Sequence, residues 1–184
     1  MSEMTLTKVR LRAMEPEDLD FLYNIENDRE LWNVGNTNVP YSRYVLHDYI
    51  ANATNDIYSD GQVRMIVENA EGCTVGMADL FDFNASHRRA ELSIVIMRGF
   101  RRCGYAEAAV RHMLSYAQRI LHLNQVYAVI SVDNKPSIAL FDKCGFIKSA
   151  NLQKWLFDGE KYIDAVVMSK FFLKKYDKKL CQFK

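Results

Sequence analysis

The stretch RGFRRCGYAEAAV, residues 98–110, decides how the rest of the chain is read. Ahead of it, RRAELSIVIM (88–97) is apolar enough for a strand. Behind it, Ala106, Ala109, Val110, Met113, Leu114, Ala117, Ile120 and Leu121 recur at steps of three and four, which predicts a helix with one buried face. A strand thus passes into a helix through a segment holding Arg101, Arg102 and Gly104. The first amides of a helix lack intrahelical partners and the helix dipole adds positive character there, so such a start suits an anion. Gly104 permits close backbone approach, the small Ala106 leaves room beside the helix start, and the two arginines add charge. The pattern R-x-x-G-x-A equally suits a basic surface turn, so its surroundings must decide.

Upstream, KVRLRAM (8–14) alternates Val9, Leu11 and Ala13 with charges, as a half-buried strand does, and Pro16 opens a helix over EPEDLDFLYNIEND. NVGNTNVPY (33–41) reads as a loop, and Ser42 caps a helix over 42–54 that carries Val45, Leu46, Tyr49 and Ile50. QVRMIVEN, CTVGMADLFDFN and RRAELSIVIM, separated by the turn-like AEG and NASH, predict an antiparallel meander. Downstream, QVYAVISV (125–132) is nearly continuous in apolar residues, which predicts a buried strand. Pro136 opens a short helix that Gly145 ends, and KSANLQKWLF and KYIDAVVMSK form a hairpin about Asp158-Gly159. The tail KKYDKKLCQFK (174–184) reads as a solvated, helix-ending segment.

At 184 residues the chain is long enough for one core and short for two, so residues 1–184 are expected to form a single domain. A formal net charge of +1 argues against broad electrostatic capture of nucleic acid or membrane. Cys73, Cys103, Cys144 and Cys181 show no metal-ligand spacing and no disulfide framework, so no metal is expected. The first residues mix charges and lack the apolar core of a signal peptide, which makes the cytoplasm the default location.

The series strand, RRCGYA, long helix, buried strand, Asn-x-x-Ser, short helix and CGF resembles the GNAT superfamily of N-acetyltransferases, and within it the bacterial spermidine/spermine N-acetyltransferases. VRLRAMEPEDL, HRRAELSIVI, NKPSIALFDKCGF and FDGEKYIDAVVM all fit that pattern, over nearly the whole chain. The resemblance implies an α/β (α+β) fold: a mixed, mostly antiparallel sheet of about seven strands with flanking helices. It also implies acetyl-CoA as cofactor. Arg101, Arg102, Cys103, Gly104, Tyr105 and Ala106 would hold the pyrophosphate, main-chain groups of Ile94, Val95 and Ile96 the pantetheine arm where two strands splay, and Asn134 the far side. Asn134 also suits a turn before Pro136.

Acetyl transfer needs a neutral amine, so a base must take the acceptor's proton. Glu91 has opposite parity to Leu92, Ile94 and Ile96, so its carboxylate can face a cleft on the other side; a solvent-facing strand charge fits the same parity. Family likeness gives Glu91 a place in the acceptor site and adds Asp82 to a cationic pocket, although a plain edge carboxylate fits Asp82 too. Tyr41, with Trp32, Tyr44 and Tyr49, can offer aromatic faces to an ammonium or serve as packing.

Two features depart from the family pattern. Phe141 stands where the family has its general-acid tyrosine, so Cys144 or a water must protonate the leaving sulfur, or the thiolate leaves as such. Asn38-Val39 replace an acidic pair ahead of Pro40-Tyr41. The expected activity is direct acetyl transfer in a ternary complex to a small-molecule primary amine, such as a polyamine, by a chain compatible with a homo-oligomer. The alternatives are acetylation of protein or ribosomal-protein N-termini, and a non-catalytic acyl-CoA sensor.

Overall fold

The computed structural model describes residues 8–28, 31, 39–54 and 56–172. The expectations placed on Trp32, Asn38, Cys181 and the 174–184 tail lie outside those residues. Val9–Arg12 forms β1, and Pro16–Asp18 makes one turn of 3-10 helix that runs into α1, Leu19–Glu26. Asp18 fixes this entry by accepting from the Glu15 amide and from the Arg12 guanidinium, whose Nε also donates to Glu68 on the next strand. A carboxylate tolerates burial when its oxygens meet donors in this way.

Arg43–Asn52 forms α2, with the Ser42 hydroxyl accepting from the Val45 amide as the capping expectation requires. The short α3, Ile57–Asp60, precedes the meander of β2 (Val63–Asn69), β3 (Thr74–Asn84) and β4 (Arg89–Ile96). Tyr105–Arg119 forms α4, Gln125–Ser131 β5, Lys135–Lys143 α5, and Ile147–Phe157 and Tyr162–Phe171 the hairpin of β6 and β7. The seven strands lie in one sheet in the order β1-β2-β3-β4-β5-β7-β6. Only the β4–β5 neighbours run parallel, so the sheet is mixed and mostly antiparallel.

Helices cover both faces. On one, Ala109, Val110, Met113 and Ala117 of α4 and Phe141 of α5 pack on Val63, Leu80, Leu92, Val126 and Ala128. On the other, Leu22 and Ile25 of α1 and Leu46 of α2 pack on Ile66 and Met77. Gly76 sits where a Cβ would lie 2.2 Å from the Val95 carbonyl oxygen, so a side chain there would push β3 away from β4. No helix among the described residues is long and apolar enough to cross a membrane.

Three local expectations need correction. Ile120 is 63% exposed: α4 ends at Arg119, and the periodic pattern outruns the helix by one residue before Leu121 turns back into the core. Strand β5 is buried on one face only, through Val126, Ala128 and Ile130, whereas Tyr127 and Val129 are half-buried on the other. The β6–β7 turn is wider than the Asp-Gly pair suggests, because Phe157 pairs with Tyr162 and Asp158 accepts from the amides of Glu160 and Lys161.

Candidate active site

The β4–β5 ladder holds at three pairs, Arg89–Gln125, Ala90–Val126 and Glu91–Tyr127, and then stops. Beyond it β4 stays with β3 as far as Ile96 opposite Gly76, and β5 stays with β7 as far as Ser131 opposite Ala165. The two strands therefore part, and main-chain groups of residues 92–96 and 128–131 border the gap without a ladder across it. Backbone donors and acceptors require partners, and an extended ligand in the gap would supply them. Ile94, Val95 and Ile96 lie on its β4 side.

At the far end of the gap the chain turns through Arg98–Phe100 and enters α4. Arg102 (φ +63) and Gly104 (φ +83) take left-handed backbone, which suits glycine and costs an arginine about 1 kcal/mol. Gly104 is the N-cap of α4 and brings no side-chain acceptor, so the first-turn amides of Tyr105 and Ala106 face the loop. The Arg101 Nε donates to the Ile96 carbonyl at 2.9 Å, tying loop to strand end, while the Cys103 thiol donates to the Arg101 carbonyl at 3.4 Å. Tyr105 packs edge-on against Phe100. These residues thus share one junction at the mouth of the gap, with a helix start and two guanidinium-bearing residues, which is the donor set a pyrophosphate calls for. Asn134 lies beyond β5 as the N-cap of α5, its Oδ1 accepting from the Ser137 amide at 3.2 Å.

Glu91 stands at the vertex of the gap. Its Oε1 accepts from the Val129 amide at 3.1 Å, so the side chain reaches across from β4 to β5. Burial pushes its pKa up to about 7, against the lowering effect of the Val129 amide and with a further rise from the nearby Asp82 charge. Asp82 sits on a bulge, where β3 has one residue more than β4 between Phe81 and Asn84, and it takes left-handed backbone (φ +47). Its carboxylate accepts a short hydrogen bond from the Tyr127 hydroxyl. Burial, then this bond, raise the Tyr127 pKa well above the usual phenol value.

Tyr41 is clamped by Asn27, which accepts from its amide at 2.8 Å and donates to its carbonyl, and its ring packs on the α1–α2 layer. Tyr44 points outward at 74% exposure, and the Tyr49 hydroxyl accepts from Gln62. Phe141 is 2% exposed and meets Phe146 edge-to-face at 4.8 Å. The position that the resemblance gives to a proton donor is thus held by a core ring. Cys144 is also buried, which raises its pKa, so it makes a reluctant acid.

Sequence reasoning missed two features of this face. Arg64 on β2 binds Asp79 on β3 through two bonds (2.9 and 3.0 Å) and Glu26 on α1 at 2.6 Å, so two carboxylates of this face share one guanidinium. Charged Arg64 and Asp79 inside apolar strands were the available signal. Tyr127 was the other, legible only as a tyrosine whose parity matches Val129 rather than the buried Val126, Ala128 and Ile130.

Comparison with known proteins agrees with this geometry. A family model described as "Acetyltransferase (GNAT) domain" matches residues 8–147. Spermidine N(1)-acetyltransferase of Vibrio cholerae is 28% identical over 158 residues, covering 86% of this chain and 90% of the relative. The enzyme of that name from Escherichia coli K12 is 28% identical over 167 residues, covering 89% and 86%. Among solved structures, the Vibrio cholerae spermidine N-acetyltransferase in complex with CoA and spermine superposes with a TM-score of 0.77 at 28% identity, over 89% of this chain and 95% of that one. A dodecameric structure of that enzyme gives 0.75 at 28% identity, over 96% and 98%. Parted strands, a glycine-capped helix start at their mouth and a family match over most of its length together make this chain a member of the GNAT acetyltransferase family.

Proposed function

We propose that the protein transfers acetyl from acetyl-CoA to a primary amine of a small polyamine, spermidine being the first candidate, by direct attack within a ternary complex. The observation that carries this reading is Glu91, a carboxyl group with a pKa pushed to about 7, at the point where β4 and β5 part. A base poised near neutral pH accepts the ammonium proton most effectively. The residues present fit the cofactor: residues 101–106 offer main-chain donors and positive charge to a pyrophosphate, and the β4 edge offers ladder partners to an extended arm. Acetyl-CoA supplies the activated acyl group.

In this arrangement main-chain amides near Ile94 to Ile96 would hold the acyl end of the cofactor and would stabilise negative charge developing there. Glu91 takes the amine proton, and Asp82 adds a second negative charge for a cationic acceptor. Asn134 keeps its Nδ2 for the cofactor while its Oδ1 caps α5. With Phe141 in place of a tyrosine, the leaving sulfur would take its proton from solvent or depart as the thiolate. That core ring also favours a second reading, an acyl-CoA binder without turnover.

Cytoplasmic location fits the exposed free thiol of Cys73. Self-association fits β6, an edge strand exposed along most of its length that presents Trp155 and Phe157, and the relatives include a dodecamer. The function is tested by following thiol release from acetyl-CoA with spermidine, spermine, amino-terminal peptides and simple alkylamines. Turnover with spermidine above the alkylamines is expected. Turnover with peptides alone supports N-terminal acetylation instead, and no turnover with any acceptor supports the binder.

A further inference from the structure

Glu91 lies between two cross-strand neighbours, Phe81 on β3 and Tyr127 on β5. Residues in register on adjacent strands project to the same face of a sheet, so the Tyr127 phenol and the Glu91 carboxylate leave on one side. The Tyr127 hydroxyl nevertheless finds its acceptor on β3, two strands from its own backbone. Its ring must therefore span β4 at the level of Glu91. Asp82 is within reach because the β3 bulge turns it there in left-handed backbone. Bulges of this kind re-aim side chains beside active sites, and such strain persists only where neighbours hold it.

We propose that Tyr127 is a positioning residue for acetyl transfer: its hydroxyl straps the Asp82 bulge across β4, so that Asp82 and Glu91 together flank the place where the acceptor's ammonium arrives. The catalytic part of this role rests on the acetyltransferase reading above; the strap itself does not. A seat of two carboxylates draws in a protonated amine, the form that dominates at neutral pH, and Glu91 then removes its proton. The groups that face Glu91 are Asp82 from β3, Tyr127 and the Val129 amide from β5, with Arg89 on its own strand nearby. Burial raises the Glu91 pKa most and Asp82 raises it further. Releasing the strap lets the exposed Asp82 swing away from Glu91 and removes its share of that raised pKa.

The first test needs neither cofactor nor acceptor. Side-chain carboxyl signals of carbon-13 glutamate are titrated by NMR in the full chain, with Glu91 assigned by its loss in Glu91→Gln. Tyr127→Phe and Asp82→Asn are each expected to lower the Glu91 midpoint by about one pH unit, and the double variant to lower it no further. Should Tyr127→Phe prove unfolded by thermal melting, Asp82→Asn is read at the Tyr127 Cζ signal, whose midpoint falls toward the ordinary phenol value if the strap exists. A Glu91 midpoint unmoved by Tyr127→Phe, or a Tyr127 midpoint unmoved by Asp82→Asn, overturns the proposal. With spermidine as acceptor, Tyr127→Phe is expected to raise KM about tenfold and to move the acidic limb of kcat/KM to lower pH; an unmoved limb refutes the positioning role. If the variants show the NMR shifts but the wild-type protein acetylates nothing, the acetyltransferase reading is contradicted and the strap stands.

Discussion

The Glu91 carboxylate and the Val129 amide meet at 3.1 Å across the place where β4 and β5 separate. The acid thereby closes the vertex of the cleft, shielded enough for burial to hold its pKa near 7 yet bonded to an amide that favours its ionised form.

The first consequence concerns the pH dependence of turnover. A base with a pKa of about 7 is inactive when protonated, so kcat/KM is expected to rise through that region as pH increases. Glu91→Gln should abolish this limb and lower kcat/KM on the order of 10²-fold. Steady-state assays from about pH 5 to 9, roughly two units either side of that midpoint, check it.

The second concerns stability. Because the folded pKa of Glu91 lies above its ordinary value of 4.5, the folded chain binds the proton more tightly than the unfolded one. Its stability is therefore whole below about pH 4.5 and declines as pH rises toward 7. Glu91→Gln keeps an acceptor for the Val129 amide and carries no charge. It should stabilise the protein by about 1–2 kcal/mol at pH 8, after discounting for partial solvent screening, and by nearly nothing at pH 4.5. Urea denaturation at the two pH values measures the difference.

A third prediction addresses the missing acid. Phe141→Tyr is expected to raise kcat about tenfold by supplying a proton to the departing sulfur. The hydroxyl enters a site where the ring is 2% exposed, so a loss of about 1–3 kcal/mol in stability should accompany the gain. An unchanged kcat in a folded variant would show that solvent already meets the need.

A fourth concerns Gly76. Since a Cβ there lies 2.2 Å from the Val95 carbonyl oxygen, Gly76→Ala must move β3 or β4 and should destabilise the fold by more than about 2 kcal/mol. Thermal melting reads this directly.

Much of the architecture was legible because one periodicity per segment carried it. The meander, the Ser42 cap and the long helix all follow from residues within a few positions of one another. Ile120 was misplaced because the pattern continues past the residue at which the helix stops. For β5, an apolar run conceals which face meets water, and Tyr127 and Val129 turn out to border the cleft. Within the candidate site, the turn into the long helix at residues 101–106 and the cleft-side parity of Glu91 follow from local pattern. The Tyr127–Asp82 bond and the Arg64–Asp79–Glu26 cluster join residues of three different elements or span a bulge, so only the tertiary register brings them together.

The account stands or falls on coenzyme A lying along β4 with its pyrophosphate at residues 101–106, and calorimetric titration of coenzyme A into the full chain tests that most directly. One saturable site per chain is predicted, with Kd on the order of micromolar, weakened about tenfold by Arg101→Ala. An absence of saturable heat, or an affinity indifferent to Arg101→Ala, would contradict it.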